Sequence, residues 1–298
     1  MPLLGAHMSI AGGYHNAAEA AAALGMNTVQ IFTKNNAQWK AKPITDEESR
    51  RFREAISAAG IEKPCSHASY LINMASPNDE LWAKSVEGFA IELERAEQLG
   101  LAGVVVHPGT ATGIDEQTGI ENVVRALNVA LEKASAETVE VWLETTAGQG
   151  ASLGHRFEHL AAMLEGVKQA ERFGICIDTC HLFAAGYPLI SADEFAATFD
   201  EFDRVIGRSR LKAAHLNDSK KALGCRVDRH EHIGEGCLGD EAFRHLLNDR
   251  RFEAIPMYLE TAKGLRDGED LDAVNLRRLR GLIAPAKPSA GRRVRKSR

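Results

Sequence analysis

Short apolar runs that end on a metal-binding type of side chain recur along this chain, and that pattern restricts its fold more than any other feature. Val104-Val105-Val106 leads into His107, Val139-Glu140-Val141-Trp142-Leu143 into Glu144, and Ile175-Cys176-Ile177 into Asp178, with His181 three residues on. Leu211-Lys212-Ala213-Ala214 leads into His215, and Ile255-Pro256-Met257-Tyr258-Leu259 into Glu260. Apolar blocks of this length mark strands buried on both faces, as in parallel sheets covered by helices. A carboxylate or imidazole at the exit of such a strand is costly unless something neutralises or coordinates it. Several of them at equivalent places imply one shared site.

Between the runs lie longer amphipathic segments. Strands are expected at 3–7, 27–32, 61–67, 103–107, 139–144, 174–178, 210–216 and 255–260. Helices are expected near 13–25, 46–59, 77–99, 117–135, 156–172, 191–206, 240–248 and 271–282. Thr45-Asp46-Glu47-Glu48 supplies a cap and an acidic first turn, and Gly100 supplies a stop after Leu99. Eight βα units in strict alternation predict an α/β fold, a single eight-stranded parallel (β/α) TIM-type barrel, with a doubly wound open sheet as the alternative. The barrel domain is expected over residues 1–284, with 285–298 a disordered basic tail. There Pro285, Pro288, Ser289 and Gly291 break regular structure, and Lys287, Arg292, Arg293, Arg295, Lys296 and Arg298 leave only Val294 to bury. Taking those six cations from the net charge of −5 leaves residues 1–284 at −11, which divalent cations among buried carboxylates would offset. A barrel carries its functional groups at the C-terminal ends of its strands, where the residues above fall.

Taken as one set, His67, His107, Glu144, Asp178, His181, His215, Asp228, His230 and Glu260 are nine ligand-type groups. One tetrahedral ion cannot use so many, so more than one metal is expected, and imidazoles mixed with carboxylates suit zinc, with manganese or iron as substitutes. Asp228 and His230 alternate within the long connection 216–239, so an extended chain places both on one side. His7 and His232 remain for supporting or structural roles. Gly234-Glu235-Gly236-Cys237-Leu238-Gly239 matches G-x-G-x-x-G, but residues 226–232 before it are polar where a dinucleotide fold needs a buried strand. It predicts instead a flexible loop whose backbone approaches a ligand. Cys65, Cys176, Cys180, Cys225 and Cys237, odd in number and without C-x-x-C spacing, are expected to be buried, inert thiols of a reducing compartment. With no basic-then-apolar leader and no long apolar run, a soluble cytoplasmic protein is expected.

Phe32-Thr33-Lys34-Asn35, Ser69-Tyr70-Leu71-Ile72-Asn73, His107-Pro108-Gly109, the run 144–150, the run 176–181, His215-Leu216-Asn217-Asp218 and Arg226-Val227-Asp228-Arg229-His230 together resemble the deoxyribonuclease IV (endonuclease IV) family of abasic-site endonucleases. The motifs occur in family order from residue 1 through roughly residue 282. The resemblance implies a βα barrel holding three zinc ions (Zn2+). His67, His107 and Glu144 would hold one; Glu144, Asp178, His215 and Glu260 a second, with Glu144 bridging; His181, Asp228 and His230 the third. It implies hydrolysis of the phosphodiester 5′ to an abasic site in duplex DNA, leaving a 3′-hydroxyl and a 5′-deoxyribose phosphate, and removal of blocking groups from 3′ ends. Glu260, with Glu144 as the alternative, would orient or deprotonate the nucleophile, and Gln38, Tyr70 and Leu71 would enter the DNA. Two positions depart from the family: Ala37 stands where an Arg is common, and Ala68 where an Asp is common. The implied partner is damaged duplex DNA, with no membrane, and the protein is expected as a monomer. A sugar isomerase or epimerase on the same barrel would use the strand-end ligands but has no use for the Asp228/His230 pair. A non-catalytic damage binder would not need nine ligands.

Overall fold

The computed structural model describes residues 2–285, so the expected basic tail lies, from residue 286 on, outside the described residues. Eight parallel strands close into a barrel: β1 (Leu3–Met8), β2 (Gln30–Ile31), β3 (Cys65–His67), β4 (Gly103–Val106), β5 (Glu140–Glu144), β6 (Phe173–Asp178), β7 (Leu211–His215) and, after the hairpin strands β8 (Asp218–Ser219) and β9 (His230–Glu231), β10 (Pro256–Leu259). β1 pairs with both β2 and β10 and closes the ring. A second hairpin, β11 (Leu265–Arg266) with β12 (Glu269–Asp270), lies outside the barrel. The helices are α1 (Tyr14–Ala23), α2 (Asp46–Ala58), α3 (Asp79–Leu99), α4 (Glu116–Lys133), α5 (Phe157–Gly166), α6 (Thr179–Ala185), α7 (Ala192–Val205), α8 (Gly239–Asn248) and α9 (Leu271–Leu282). The expected closed barrel is found, and each predicted strand overlaps an observed one.

Strand periodicity builds the site. Cys65, Val105, Trp142, Cys176, Ala213 and Tyr258 pack together as an apolar plug, apart from the larger core to which Val104, Val106, Val141 and Leu143 belong. Alternate residues of a strand share a face, so the residue two beyond each plug residue turns inward as well. Those residues are His67, His107, Glu144, Asp178, His215 and Glu260. Gly103 leaves room for the plug: a Cβ there would stand 2.4 Å from the Trp142 ring.

Local signals behave as their chemistry dictates, with four differences. Thr45 and Glu48 form the reciprocal cap of α2, and Gly100 ends α3 in the left-handed region at φ 74°. α5 stops at Gly166, short of the expected 172, because Asn128 accepts from Lys168 N (2.9 Å) and donates to Gly166 O (3.3 Å). α6 was not expected; it starts directly at the end of β6, with Asp178 accepting from His181 N (2.9 Å), and seven residues are too few to show helical periodicity. The G-x-G-x-x-G segment receives a carboxylate of its own chain instead of a ligand: Asp218 accepts from Gly236 N (3.0 Å), Leu238 N (2.8 Å) and Gly239 N (3.2 Å). A Cβ at Gly236 would lie 2.4 Å from Ser219 O, so the close approach requires glycine. All five cysteines are free; Cys65, Cys176 and Cys180 are buried, but Cys237 is exposed and Cys225 half-buried, correcting the expectation of five buried thiols. Among the described residues, no helix is long and apolar enough to cross a membrane.

Candidate metal centre

The nine strand-end and loop residues converge on the barrel mouth. His67 Nε2 and His107 Nε2 stand 3.1 Å and 2.8 Å from Glu144 Oε2, while the other oxygen, Oε1, is 2.9 Å from His215 Nδ1. Glu144 therefore faces two different groups of imidazoles with its two oxygens. His215 Nδ1 is also 3.3 Å from Glu260 Oε2 and 3.8 Å from Asp178 Oδ2. The register explains the last contact, since Asp178 and His215 are partners across β6 and β7. Asp228 joins the remaining two rings, with Oδ2 3.2 Å from His181 Nε2 and Oδ1 3.3 Å from His230 Nε2. Asp178 Oδ2 lies 3.6 Å from His230 Nε2, linking this group to the one around His215.

Hydrogen bonds at the far side of four of the five rings decide which nitrogen is free. His67 Nδ1 donates to Ala68 O (2.7 Å), His181 Nδ1 to Thr145 O (2.8 Å) and His230 Nδ1 to Glu260 O (3.3 Å). A proton fixed on Nδ1 leaves the Nε2 lone pair facing the carboxylates, an acceptor opposed to acceptors unless a cation lies between them. The Nε2 atoms of His181 and His230 are buried and have no hydrogen-bond partner. In His215 the roles are exchanged: Nε2 donates to Gln30 Oε1 (2.8 Å), which leaves Nδ1 for the centre. Four rings on four different elements thus present a lone pair inward.

The electrostatics carry the same message. Burial opposes ionisation of Glu144, but His107 and His215 outweigh it and hold the carboxyl well below its usual range. Burial likewise disfavours charge on His181, yet Asp178, Asp228 and Glu144 outweigh it and push the ring well above its usual value. Protons and a divalent cation thus compete for the same inward nitrogens, and a cation bound there would displace protons from the rings. Cys180 lies next to Asp228 and His230, and burial pushes its thiol up to about 12. Donor type, spacing, ring orientation and orphaned nitrogens together fit a multinuclear metal site.

Gln30 is a site residue that the sequence reading missed. It is fully buried, and its amide nitrogen donates to Glu260 Oε1 (2.6 Å) and contacts His7 Nδ1 (3.0 Å), while its oxygen holds His215. A single glutamine inside an apolar run carries no motif; only its polarity at the end of β2 could have raised the question. His7 accordingly sits beside Glu260, whereas His232 contacts Asn275 Nδ2 (3.0 Å) as part of the scaffold. A cavity of about 470 Å³ opens beside the centre, lined in part by His67, Tyr70, His107, Gln149, His181 and Asp228. Tyr70 is 62% exposed on its rim, packed edge-on to Phe32 at 5.5 Å. Gln38 and Ala37 are exposed, Leu71 is half-buried and Ala68 is buried.

Comparison with known proteins places this geometry. Over residues 18–281 the chain matches the family described as "Xylose isomerase-like TIM barrel". It is 49% identical over 283 residues to the "Probable endonuclease 4" of Geobacter sp. (strain M21), covering 95% of this chain and 99% of that protein. The crystal structure of endonuclease IV from Thermus thermophilus superimposes with a TM-score of 0.84 at 37% identity, over 94% of this chain and 98% of that one. A D-tagatose 3-epimerase-like protein superimposes with a TM-score of 0.70 at 20% identity, over 93% and 96% of the two chains, and shares the fold alone.

Proposed function

The chain belongs to the endonuclease IV family, and from that premise we propose that it hydrolyses the phosphodiester 5′ to abasic sites in duplex DNA and trims blocked 3′ ends. The observation that carries this reading is the set of inward lone pairs arranged around Glu144, Asp178, Asp228 and Glu260. His67, His107 and Glu144 would hold one zinc, Glu144, Asp178, His215 and Glu260 a second, and His181, Asp228 and His230 a third. Zinc, when bound, lowers the pKa of water to about 7 and neutralises charge on a phosphoryl group.

The residues of the chain supply the rest. Glu144, with one oxygen toward His67 and His107 and the other toward His215, would hold two of the groups at a fixed separation. Glu260 would orient or deprotonate the nucleophile. Gln30 fixes its Oε1, and its backbone N–H donates to Asn217 Oδ1 (2.9 Å), so the carboxylate enters the reaction already positioned. Asp228 and His230 come from the β7–β10 connection and bring ligands to the side of the mouth next to His181, a pair for which a sugar epimerase has no use. Tyr70, exposed on the cavity rim, would stack in the space left by the missing base, with Gln38 and Leu71 beside it. We assign residues 1–284 to the endonuclease domain and residues 285–298 to a basic segment that adds non-specific phosphate affinity.

The decisive experiment incubates duplex DNA bearing one abasic site with the protein, with and without a strong chelator, and determines the product ends. A 3′-hydroxyl and a 5′-deoxyribose phosphate, lost with chelation and restored by zinc, are expected. Cleavage 3′ to the site, or cleavage indifferent to the chelator, would sink the proposal, and turnover of free ketoses would point to sugar chemistry instead.

A further inference from the structure

We infer that Glu92, midway along α3, couples the loop after β2 to the loop after β3, so that the segments carrying Gln38, Tyr70 and Leu71 are set as one unit. The inference rests on the reading that these loops meet DNA. Glu92 is 1% exposed and divides its carboxylate between the two loops. From the first loop, Thr33 Oγ1 donates to Oε2 (2.7 Å) and Lys34 Nζ stands 3.1 Å from Oε1. From the second, Ser69 N donates to Oε1 (3.3 Å). Each contact is then passed outward. Lys34 Nζ donates to Gln38 O (3.0 Å), and Ser69 Oγ donates to Asn36 O (2.6 Å) while accepting from Leu71 N (3.3 Å). Arg95, one turn further along α3, donates to Thr33 Oγ1 (3.2 Å) and Thr33 O (2.7 Å) and continues the chain of bonds.

Stability alone does not explain this arrangement. A buried ion pair roughly breaks even against well-packed apolar residues, and its attested use is to impose one geometry. The segment between β2 and α2 has no helix or strand of its own, so its shape depends on such ties. Entering an opened stack requires both loops in a set relation, whereas electrostatic binding along an intact duplex does not. Glu92 is thus a positioning residue for lesion preference, acting through Lys34 and Ser69.

The test compares wild-type protein with Glu92→Gln. The variant should lose roughly tenfold of the preference for abasic over intact duplex and raise KM, with kcat at saturation and zinc content within about twofold of wild type. Because Glu92→Gln strands a buried ammonium, the double variant Glu92→Gln/Lys34→Met is measured beside it; it should recover stability and keep the loss of preference. Amide hydrogen exchange in DNA-free protein supplies the second readout, and faster exchange at residues 33–40 and 69–73 together is expected in both variants. Faster exchange in one loop only, or unchanged lesion preference in a folded variant, overturns the inference. If the wild type itself shows no preference for abasic DNA, the functional reading falls separately, and the exchange measurement alone decides the coupling.

Discussion

At the mouth, His67, His181 and His230 anchor Nδ1 on backbone carbonyls and turn Nε2 toward carboxylates, whereas at the start of α4 and α5 another pair of histidines meets a glutamate with similar spacing and mixed ring chemistry. His155 Nδ1 donates to Ser152 O (2.8 Å) as the rings at the mouth do, and His159 does the opposite. There Glu116 lies 3.2 Å from His159 Nε2 and 3.8 Å from His155 Nε2. Gly154 N donates to His159 Nδ1 (3.4 Å), so the proton of this ring sits on Nε2 and points at Glu116. His159 therefore offers no lone pair, and the Glu116 side chain is 55% exposed. The Glu116–His159 hydrogen bond of this second group is a latch joining α4 to α5. Donor spacing alone does not separate a metal centre from a latch; the bonds made by the far nitrogens of all its rings do, and here His159 is the ring that gives the glutamate a proton instead of a lone pair.

The largest test of that contrast is His230→Ala. Removing a ring whose Nε2 is an orphan should release one bound metal and lower turnover by at least roughly 100-fold, with the fold intact by circular dichroism. Metal analysis showing an undiminished complement would break the contrast at its strongest point. Gln30→Leu comes next. It keeps the bulk but frees both His215 and Glu260, and should weaken zinc retention in a chelator titration by roughly 10–100-fold. Retention equal to wild type would mean that the ring orientation is held by packing instead.

His159→Gln addresses the other side. It should leave metal content unchanged and cost about 1 kcal/mol of stability, read from the denaturant midpoint. Loss of one metal equivalent would turn the latch into a site. The smallest expected effect is on pH. Burial lowers the His159 pKa below 6.5, against the opposing pull of Glu116. Between that lowered value and 6.5 the unfolded chain binds more protons than the folded one, so this residue makes stability fall as pH drops through 6.5 toward its folded value. The stability gap between wild type and His159→Gln should therefore be narrower at about pH 5 than at about pH 7.5. A gap that stays constant would show that His159 does not titrate differently in the two states.

Much of this protein is determined by the sequence alone, because local pattern sets which way a side chain faces. An apolar strand ending in His107, Glu144, Asp178, His215 or Glu260 needs no knowledge of its neighbours: the two-residue period that buries Val105 or Trp142 in the plug turns the next inward residue to the mouth. Capping at Thr45 and termination at Gly100 are equally local. What only the tertiary structure decided depends on distance along the chain. Gln30 meets Glu260 across 230 residues, a contact created when β1 joins β10 and closes the ring. The glycine-rich segment reads locally as a loop whose backbone approaches a ligand, yet Asp218, folded back from the β7 exit, fills it. The free nitrogen of each histidine is decided in the same way, by whichever carbonyl, amide or side chain the closed barrel brings to the far side of the ring. Periodicity is written into consecutive residues, but register and closure are properties of the assembled sheet, and the chemistry of this mouth required both.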